Sequence, residues 1–484
     1  MLVDYEFKNS NLILSIIDKS GNIKLRHYPW SPTKFIQTSL DDPERHGKFV
    51  TWSGNAVKSI YTKYPNKYAV YDYIDTLPEE DQEIIYGYNE PNIYFVDIEN
   101  EILDSKPRPH LAESKVLSIS IITKNKALVI GIDPLTKKEQ RSIQVDINNE
   151  YGTLFEREWE FKYVQYKCEY DMMLQFFKVF VPRMPVITGW NFKHYDWVFL
   201  VNRARILGID PTVSSFTGKM MEENQNDPRN YCELPAHRII IDYMEIFKKW
   251  DTSIKVKESM SLDFISEKVL KVKKVNYEGN LKILYETDFK KFIFYNAVDS
   301  ILVQMIHEKS KLADILYGIA TLSRTTVTKA LSTLSITEGI LRKKLRIQKN
   351  IVLVKNENIG TSSPVKGGWV KEPIRGMSTW TCCYDFASLY PMTMRQFNIS
   401  ADSYKGQKIK DQDMALFNGY QVELVPNDII TKNGAVFRNE DGVVTQVMAE
   451  VYADRKSYKK TMMAKNFELD QLTKELKELE DSII

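Results

Sequence analysis

Asp97 and Glu99 stand two residues apart in "YFVDIENEI". Side chains alternate across a strand, so both carboxylates would leave the same face. Like charges held that close repel, and a divalent cation between them removes the repulsion. An isolated D-x-E is usually a solvated strand face, but Tyr94, Phe95, Val96 and Ile98 argue for a mostly buried central strand. Asp196 follows the apolar run Val186 to Thr188 and a short loop, at the start of a helix pattern. Taken alone, it reads as an N-cap. Asp299 comes four residues after Tyr295 in "FYNAVDSILV", which on a helix puts both on one face. Taken alone, that pair is a half-buried tyrosine with an incidental acid. Further on, "CCYDFASLYPMTMRQFNIS" sets Asp385 at the end of a β-like run, before a tight turn of Ser388, Leu389, Tyr390 and Pro391. That is the layout of a carboxylate holding a metal beneath a nucleoside triphosphate. Phosphoryl-transfer sites of this kind need a second carboxylate further along the chain.

The elements that must position these groups are legible in outline. Alternating runs in "NLILSIIDKSGNIKLRHY" predict a hairpin around Ser20-Gly21-Asn22. "LPEEDQEIIYGYNEPN" reads as an acidic linker into a new domain. From Ile93, strands "NIYFVDIENEIL" and "KVLSISIITKNKALVIGI" are followed by helices "DMMLQFFKVFVPRM", "DWVFLVNRARILGI" and "DFKKFIFYNAVDSILVQMIHEKSKL". Strands with interleaved helices imply an α/β or α+β domain ending near residue 312. The stretch from Ala313 to Arg346 looks all helical, and "VKNENIGTSSPVKGGWVKEPIRG" is a Gly/Pro/Ser-rich connector. A long helix is expected from about Asp454, with Leu469, Leu472, Leu476 and Leu479 on one face.

Bulk properties narrow the classes. The chain has 484 residues, enough for about three domains. An apolar fraction of 43% with 27% charge is ordinary for globular protein. A net charge of +2 means that any nucleic-acid surface must be a local basic patch. Cys168, Cys232, Cys382 and Cys383 form neither a disulfide framework nor a zinc pattern, which fits a reducing compartment. No apolar run approaches a membrane span, and the N-terminus lacks the pattern of a signal peptide.

Asp-x-Glu, then Asn-x-x-x-x-Asp, then Tyr-x-x-x-Asp, in this order, resembles the three motifs of DnaQ-like proofreading exonucleases. "TGWN" in the second resembles that of family B DNA polymerases. The resemblance implies two metals about 4 Å apart that activate a water and steady the leaving 3′ oxygen of a phosphodiester. Asp97 would bridge both metals, Glu99 and Asp299 would complete one site, Asp196 would support the other, and Tyr295 would orient the water. His194 and Tyr195 stand where the family often has a small or acidic residue, which bears on how a frayed primer end is held. "YDFASLYP" resembles the family B palm motif, and "RQFNIS" brings it close to polymerases of the T-even bacteriophage type. By that resemblance Asp385 and the carbonyl of Phe386 would ligate metals, and amides around Ser388 and Leu389 would reach the triphosphate. The Tyr390 ring would exclude a 2′-hydroxyl. Arg455 and Lys459, at i and i+4, would grip the β- and γ-phosphates. Gly367 and Gly368 resemble a linker that touches template.

The resemblance therefore implies a multidomain α/β (α+β) chain. Its parts would be an N-terminal domain (1–92), an RNase H-like 3′–5′ exonuclease (93–312), a helical segment and linker (313–376), part of the palm (377–445) and the start of the fingers (446–484). Expected cofactors are Mg²⁺ or Mn²⁺, two per active site, with dNTP as substrate. Expected partners are primer-template DNA, a single-stranded 3′ end, a C-terminal polymerase fragment and, through it, a sliding clamp. The setting would be the cytoplasm of a bacterial host. Nothing after Asp385 resembles K-x-x-x-N-S-x-Y-G or Y-G-D-T-D, and the only later D-x-D, Asp411 and Asp413, falls in a polar loop. The chain thus reads as the N-terminal part of a polymerase, either naturally split or truncated. The rivals are a stand-alone 3′–5′ exonuclease and a non-catalytic DNA-binding scaffold.

Overall fold

The D-x-E run does become a strand, and it lies inside a sheet. In a computed structural model of the chain, all residues are described except 104–107, 153–155, 224–230, 256–257, 355–366, 369, 418 and 484. Six strands, β1 (Ile93–Asn100), β2 (Val116–Thr123), β3 (Lys126–Gly131), β4 (Glu160–Gln165), β5 (Val186–Thr188) and β6 (Ile239–Ile240), form one mixed sheet. Their order is β6-β5-β1-β2-β3-β4. β5 runs parallel to both neighbours, β2 runs antiparallel to β1 and β3, and β4 is parallel to β3.

The alternation along β1 decides what each face carries. Val96 and Ile98, with Ile121 and Ile119 opposite them, belong to one buried cluster. Phe95 and its partner Ile122 belong to the other, and Asp97 and Glu99 share that side with Ser120 and Ser118. Helix α1 (Asp196–Ile206) buries Trp197, Phe199 and Leu200 in the first cluster. Helix α2 (Tyr243–Trp250) and helix α3 (Phe289–Ser310) contribute to the second. Every residue of α3 from Phe292 to His307 is buried, which is why its apolar residues show no single-faced pattern.

The chain divides into two compact units, one of Met1–Ser31 with Val70–Gly339 and one of Pro32–Ala69 with Ile340–Ile484. The first holds the sheet above and an antiparallel meander of Leu2–Lys8, Asn11–Ile17 and Ile23–Pro29. Its second turn carries Gly21 at φ +79°, as the hairpin reading expects. The acidic stretch expected as a linker is instead helical over Glu79–Tyr86. Ile85 and Tyr86 anchor it against Leu12, Leu14 and Ile16, and Asp81 pairs with Arg26 of the meander at 3.2 Å. The stretch expected to be all helical is broken after Leu312–Ser323 at Arg324, whose φ is +51°, and resumes at Thr333–Lys349.

The second unit contains a five-stranded antiparallel sheet of Tyr404–Lys408, Met414–Phe417, Tyr420–Glu423, Ile429–Ile430 and Ala435–Phe437. Helix α4 (Val443–Ile483) begins eleven residues before the expected Asp454. Val443 and Val447, one turn apart, are buried against Leu345 and Ile351, and that contact sets the earlier start. The leucine stripe Leu469, Leu472, Leu476 and Leu479 is exposed. Part of the expected template-linker motif lies outside the described residues, while Gly367 and Gly368 stand in open space. No helix of the described residues is long and apolar enough to cross a membrane.

Candidate active site: a buried carboxylate cluster

One oxygen each from Asp97, Glu99 and Asp299 lie within 4.8 Å of one another. The first two come from alternate positions of β1 and the third from α3, which lies over that face of the sheet. Asp299 Oδ1 is buried and has no hydrogen-bond partner. Its other oxygen receives the Lys274 ammonium at 2.6 Å, and the same Nζ lies 3.3 Å from the Tyr295 hydroxyl. Tyr277 packs edge-on against the Tyr295 ring, 5.3 Å between centroids.

Asp196 does not join the three within that distance, although it borders them. It is the first residue of α1, and Tyr195 before it holds the N-cap position, so the N-cap reading does not apply. Its carboxylate accepts the Ile98 amide of β1 at 3.4 Å instead. The loop that delivers it is tightly held. A Cβ on Gly189 would collide with the Val96 carbonyl oxygen, and Asn191 sits at φ +62°. The buried Asp242 carboxylate accepts the amides of Asn191 at 3.2 Å and Lys193 at 3.1 Å while also capping α2. His194 adds a second tie, 2.9 Å from Glu245.

Electrostatics mark the cluster as short of positive charge. Burial pushes the Asp97 carboxyl up to about 8; Asp299 adds to the rise, and Lys274 and Asn296 oppose it. Glu99 and Asp196 are raised well above the carboxylate range, by burial first and by Asp97 second. Asp299 is raised by burial against the pull of Lys274. The Tyr295 hydroxyl is also raised, by burial and then by Asp299, which keeps it a neutral donor.

Lys274 and Asn296 belong to this site, yet neither stands out in the sequence. Lys274 sits in a lysine-rich stretch with no local signal to separate it from its neighbours. Asn296 lies beside Tyr295 and donates to Asp97 Oδ2 at 2.9 Å. The one hint was its place within the Tyr-x-x-x-Asp spacing.

The residues expected to handle a triphosphate lie in the second unit and form no comparable cluster. Asp385 is not in a strand: residues 381–386 are irregular, and no described strand pairs with them. A β-prone run without a partner has nothing to hold it as a strand. Phe386 and Tyr390 are 77% and 81% exposed, and Leu389 opens a helix, Leu389–Gln396, after Ser388 at φ +55°. Arg455 and Lys459 are exposed on α4. Asp411 and Asp413 lie in the exposed turn between the paired strands Tyr404–Lys408 and Met414–Phe417.

Comparison with known sequences joins the two halves. Residues 69–265 match the exonuclease domain of DNA polymerase family B, and residues 324–478 match DNA polymerase family B itself. Asp97, Glu99 and Asp196 fall in the first match and Asp385, Tyr390, Arg455 and Lys459 in the second. Tyr295 and Asp299 lie between the two matches. The DNA-directed DNA polymerase of Escherichia phage RB69 is 26% identical over 404 residues, 79% of this chain and 43% of that protein. The DNA-directed DNA polymerase of Enterobacteria phage T4 is 23% identical over 319 residues, 64% of this chain and 35% of that protein. DNA polymerase 1 of Saccharolobus solfataricus is 24% identical over 263 residues, 51% of this chain and 29% of that protein. The chain thus spans less than half the length of these relatives. It belongs to the family B DNA polymerases, of which it carries the exonuclease domain and part of the polymerase domain.

Proposed function

We propose that this chain removes nucleotides from the 3′ end of single-stranded DNA, as the proofreading part of a template-directed polymerase. We assign the exonuclease to residues 93–312 and read its mixed sheet with flanking helices as RNase H-like. The observation that carries the reading is the cluster of half-buried Asp97 with buried Glu99 and Asp299, one Asp299 oxygen being left unpartnered. Such a set fits a hard divalent cation, Mg²⁺ or Mn²⁺, which takes oxygen ligands and offsets like charge. Two such ions, when bound, activate a water and stabilise the leaving 3′ oxygen.

The chain's own groups would do the rest. Asp97, Glu99 and Asp299 would hold the ions, and Asp196 would support one of them. The Tyr295 hydroxyl, kept protonated, would orient the attacking water. Lys274 would balance charge at Asp299 before and after the ions bind.

For polymerisation, the proposed roles are metal binding by Asp385 and the Phe386 carbonyl, and triphosphate contact by the amides of Ser388 and Leu389. Tyr390 would discriminate against ribose, and Arg455 with Lys459 would hold phosphates. We take residues 1–92 as an N-terminal domain, 313–376 as a helical linker, 377–445 as part of the palm and 446–484 as the start of the fingers. None of the 484 residues supplies a Y-G-D-T-D carboxylate, so extension would draw on a further polymerase segment, contiguous or separate. That segment would also carry the thumb and any contact with a sliding clamp. The setting we propose is the cytoplasm of a bacterial host.

The test is a 5′-labelled primer-template incubated with the chain and Mg²⁺, with and without dNTPs. Shortening from the 3′ end that disappears in Asp97→Ala, with no extension, is the expected result. Absence of metal-dependent shortening overturns the exonuclease reading, and extension by the chain alone overturns the half-site reading.

A further inference from the structure

Behind the carboxylates, β2 and α3 meet through polar groups where packing alone would be served by apolar ones. Ser118, Ser120, Asn296 and Ser300 are all fully or almost fully buried. Ser120 and Ser300 face each other at 2.7 Å, and Ser118 Oγ donates to Asn296 Oδ1 at 3.0 Å. The Asn296 amide then donates from Nδ2 to Asp97 Oδ2 at 2.9 Å. Burying four such groups costs free energy unless all are satisfied, so the seam is a poor way merely to attach a helix to a sheet.

The hydrogen bonds also fix direction. Asp97 and Glu99 lie directly across from Ser120 and Ser118. Turning the Asn296 amide over would set its oxygen against the Asp97 carboxylate, whereas the Ser118 hydroxyl, which can donate or accept, would tolerate either orientation. The carboxylate therefore selects the orientation, and Ser118 holds it by donating to Oδ1. The bond holds Oδ2 of Asp97 and so restrains rotation of the carboxylate.

Resting on the exonuclease reading above, we propose that Asn296, held by Ser118, is a positioning residue that aims the Asp97 carboxylate at the metal ions. It touches neither substrate nor ion. Partners of this kind behind a metal ligand are typically worth about 10- to 100-fold in metal affinity or activity.

The experiment measures Mn²⁺ binding to the full chain by calorimetry, without DNA, alongside metal titrations of exonuclease rate. Asn296→Ala should weaken Mn²⁺ binding by about 10- to 100-fold and shift half-maximal activity to higher metal by a similar factor. Ser118→Ala should produce a smaller shift in the same sense. The double variant should behave like Asn296→Ala, because Ser118 acts through it. A purely structural seam would lower Tm with unchanged metal dependence, and that result overturns the proposal. So do fully additive effects of the two substitutions. Ser118→Ala keeps the test open if Asn296→Ala does not fold. Wild type that binds Mn²⁺ without cutting DNA defeats the functional reading but leaves the positioning role standing. Wild type that binds no Mn²⁺ removes both.

Discussion

Lys274 Nζ lies 2.6 Å from Asp299 Oδ2, inside a cluster otherwise made of acids. The ammonium is the cluster's own counter-charge. In Lys274→Ala the remaining carboxylates face one another without it, and removing one partner of a buried pair costs about 3 kcal/mol. Millimolar Mg²⁺ should then raise the Tm of the variant more than that of wild type. Equal metal-induced shifts in scanning calorimetry would show that Lys274 does not balance the cluster.

Asp242 ties two segments together, and its loss should be felt at both. Asp242→Ala removes the cap of α2, worth about 1 kcal/mol, and strands the amides of Asn191 and Lys193, at about 1–3 kcal/mol for a buried unsatisfied group. Thermal unfolding should show a loss of at least about 2 kcal/mol. Hydrogen exchange should quicken at Asn191 and Lys193 first. Protection unchanged at those two amides would separate the loop from Asp242.

His307 gives the fold a pH dependence. Burial lowers the imidazole to about 4, with Lys311 adding to the effect, while its Nδ1 lies 3.3 Å from the Tyr243 hydroxyl. The unfolded chain therefore binds the proton more readily than the folded one between about pH 6.5 and 4. Stability from this residue is fully present above pH 6.5 and is lost as pH falls through that window, by up to about 3 kcal/mol. Denaturant titrations across the window should show His307→Gln with a shallower acid slope than wild type. Parallel slopes would count against the assignment.

In the second unit, Asn398 joins the turn after Leu389–Gln396 to the start of α4. Its Nδ2 donates to the carbonyls of Arg438 at 2.5 Å and Glu440 at 2.6 Å. Its Oδ1 accepts from Gly442 N at 2.8 Å and Thr445 Oγ1 at 2.9 Å. Asn398→Ala should destabilise this unit by about 2 kcal/mol or more, through two buried groups left unsatisfied. The amides of Gly442 to Val447 should exchange faster while β1 and β2 keep their protection. A uniform change across both units would contradict a local role.

The spacing of Asp97 and Glu99 was enough to place them on one face, because a strand's period is two and both neighbours are apolar. Helical spacing put Asp299 and Tyr295 on one face, but they, like Asp196, pointed to a site only as part of the ordered set. Lys274 and Asn296 were not legible, since each acts across contacts far apart in the chain that no local pattern encodes. Charge density misled at Glu79–Tyr86, where two buried residues and the Asp81–Arg26 pair hold the helix to the meander. β-propensity misled at Asp385, because a strand is a property of a pair. The early start of α4 follows from two valines whose partners lie about a hundred residues away, at Leu345 and Ile351.

Helix α3 is enclosed on every side from Phe292 to His307 and carries Tyr295, Asn296, Asp299 and His307. Each residue added or removed turns everything beyond it by roughly 100°. Its coding sequence can therefore accept exchanges of like for like but no change of reading length. A codon deleted near Phe292 would move Asp299 into the slot of the buried Val298 and bring the Ser300 hydroxyl, in place of a carboxylate, to the cluster. Variation among natural sequences over this stretch should accordingly take the form of substitution, with insertions and deletions confined to the turns at either end.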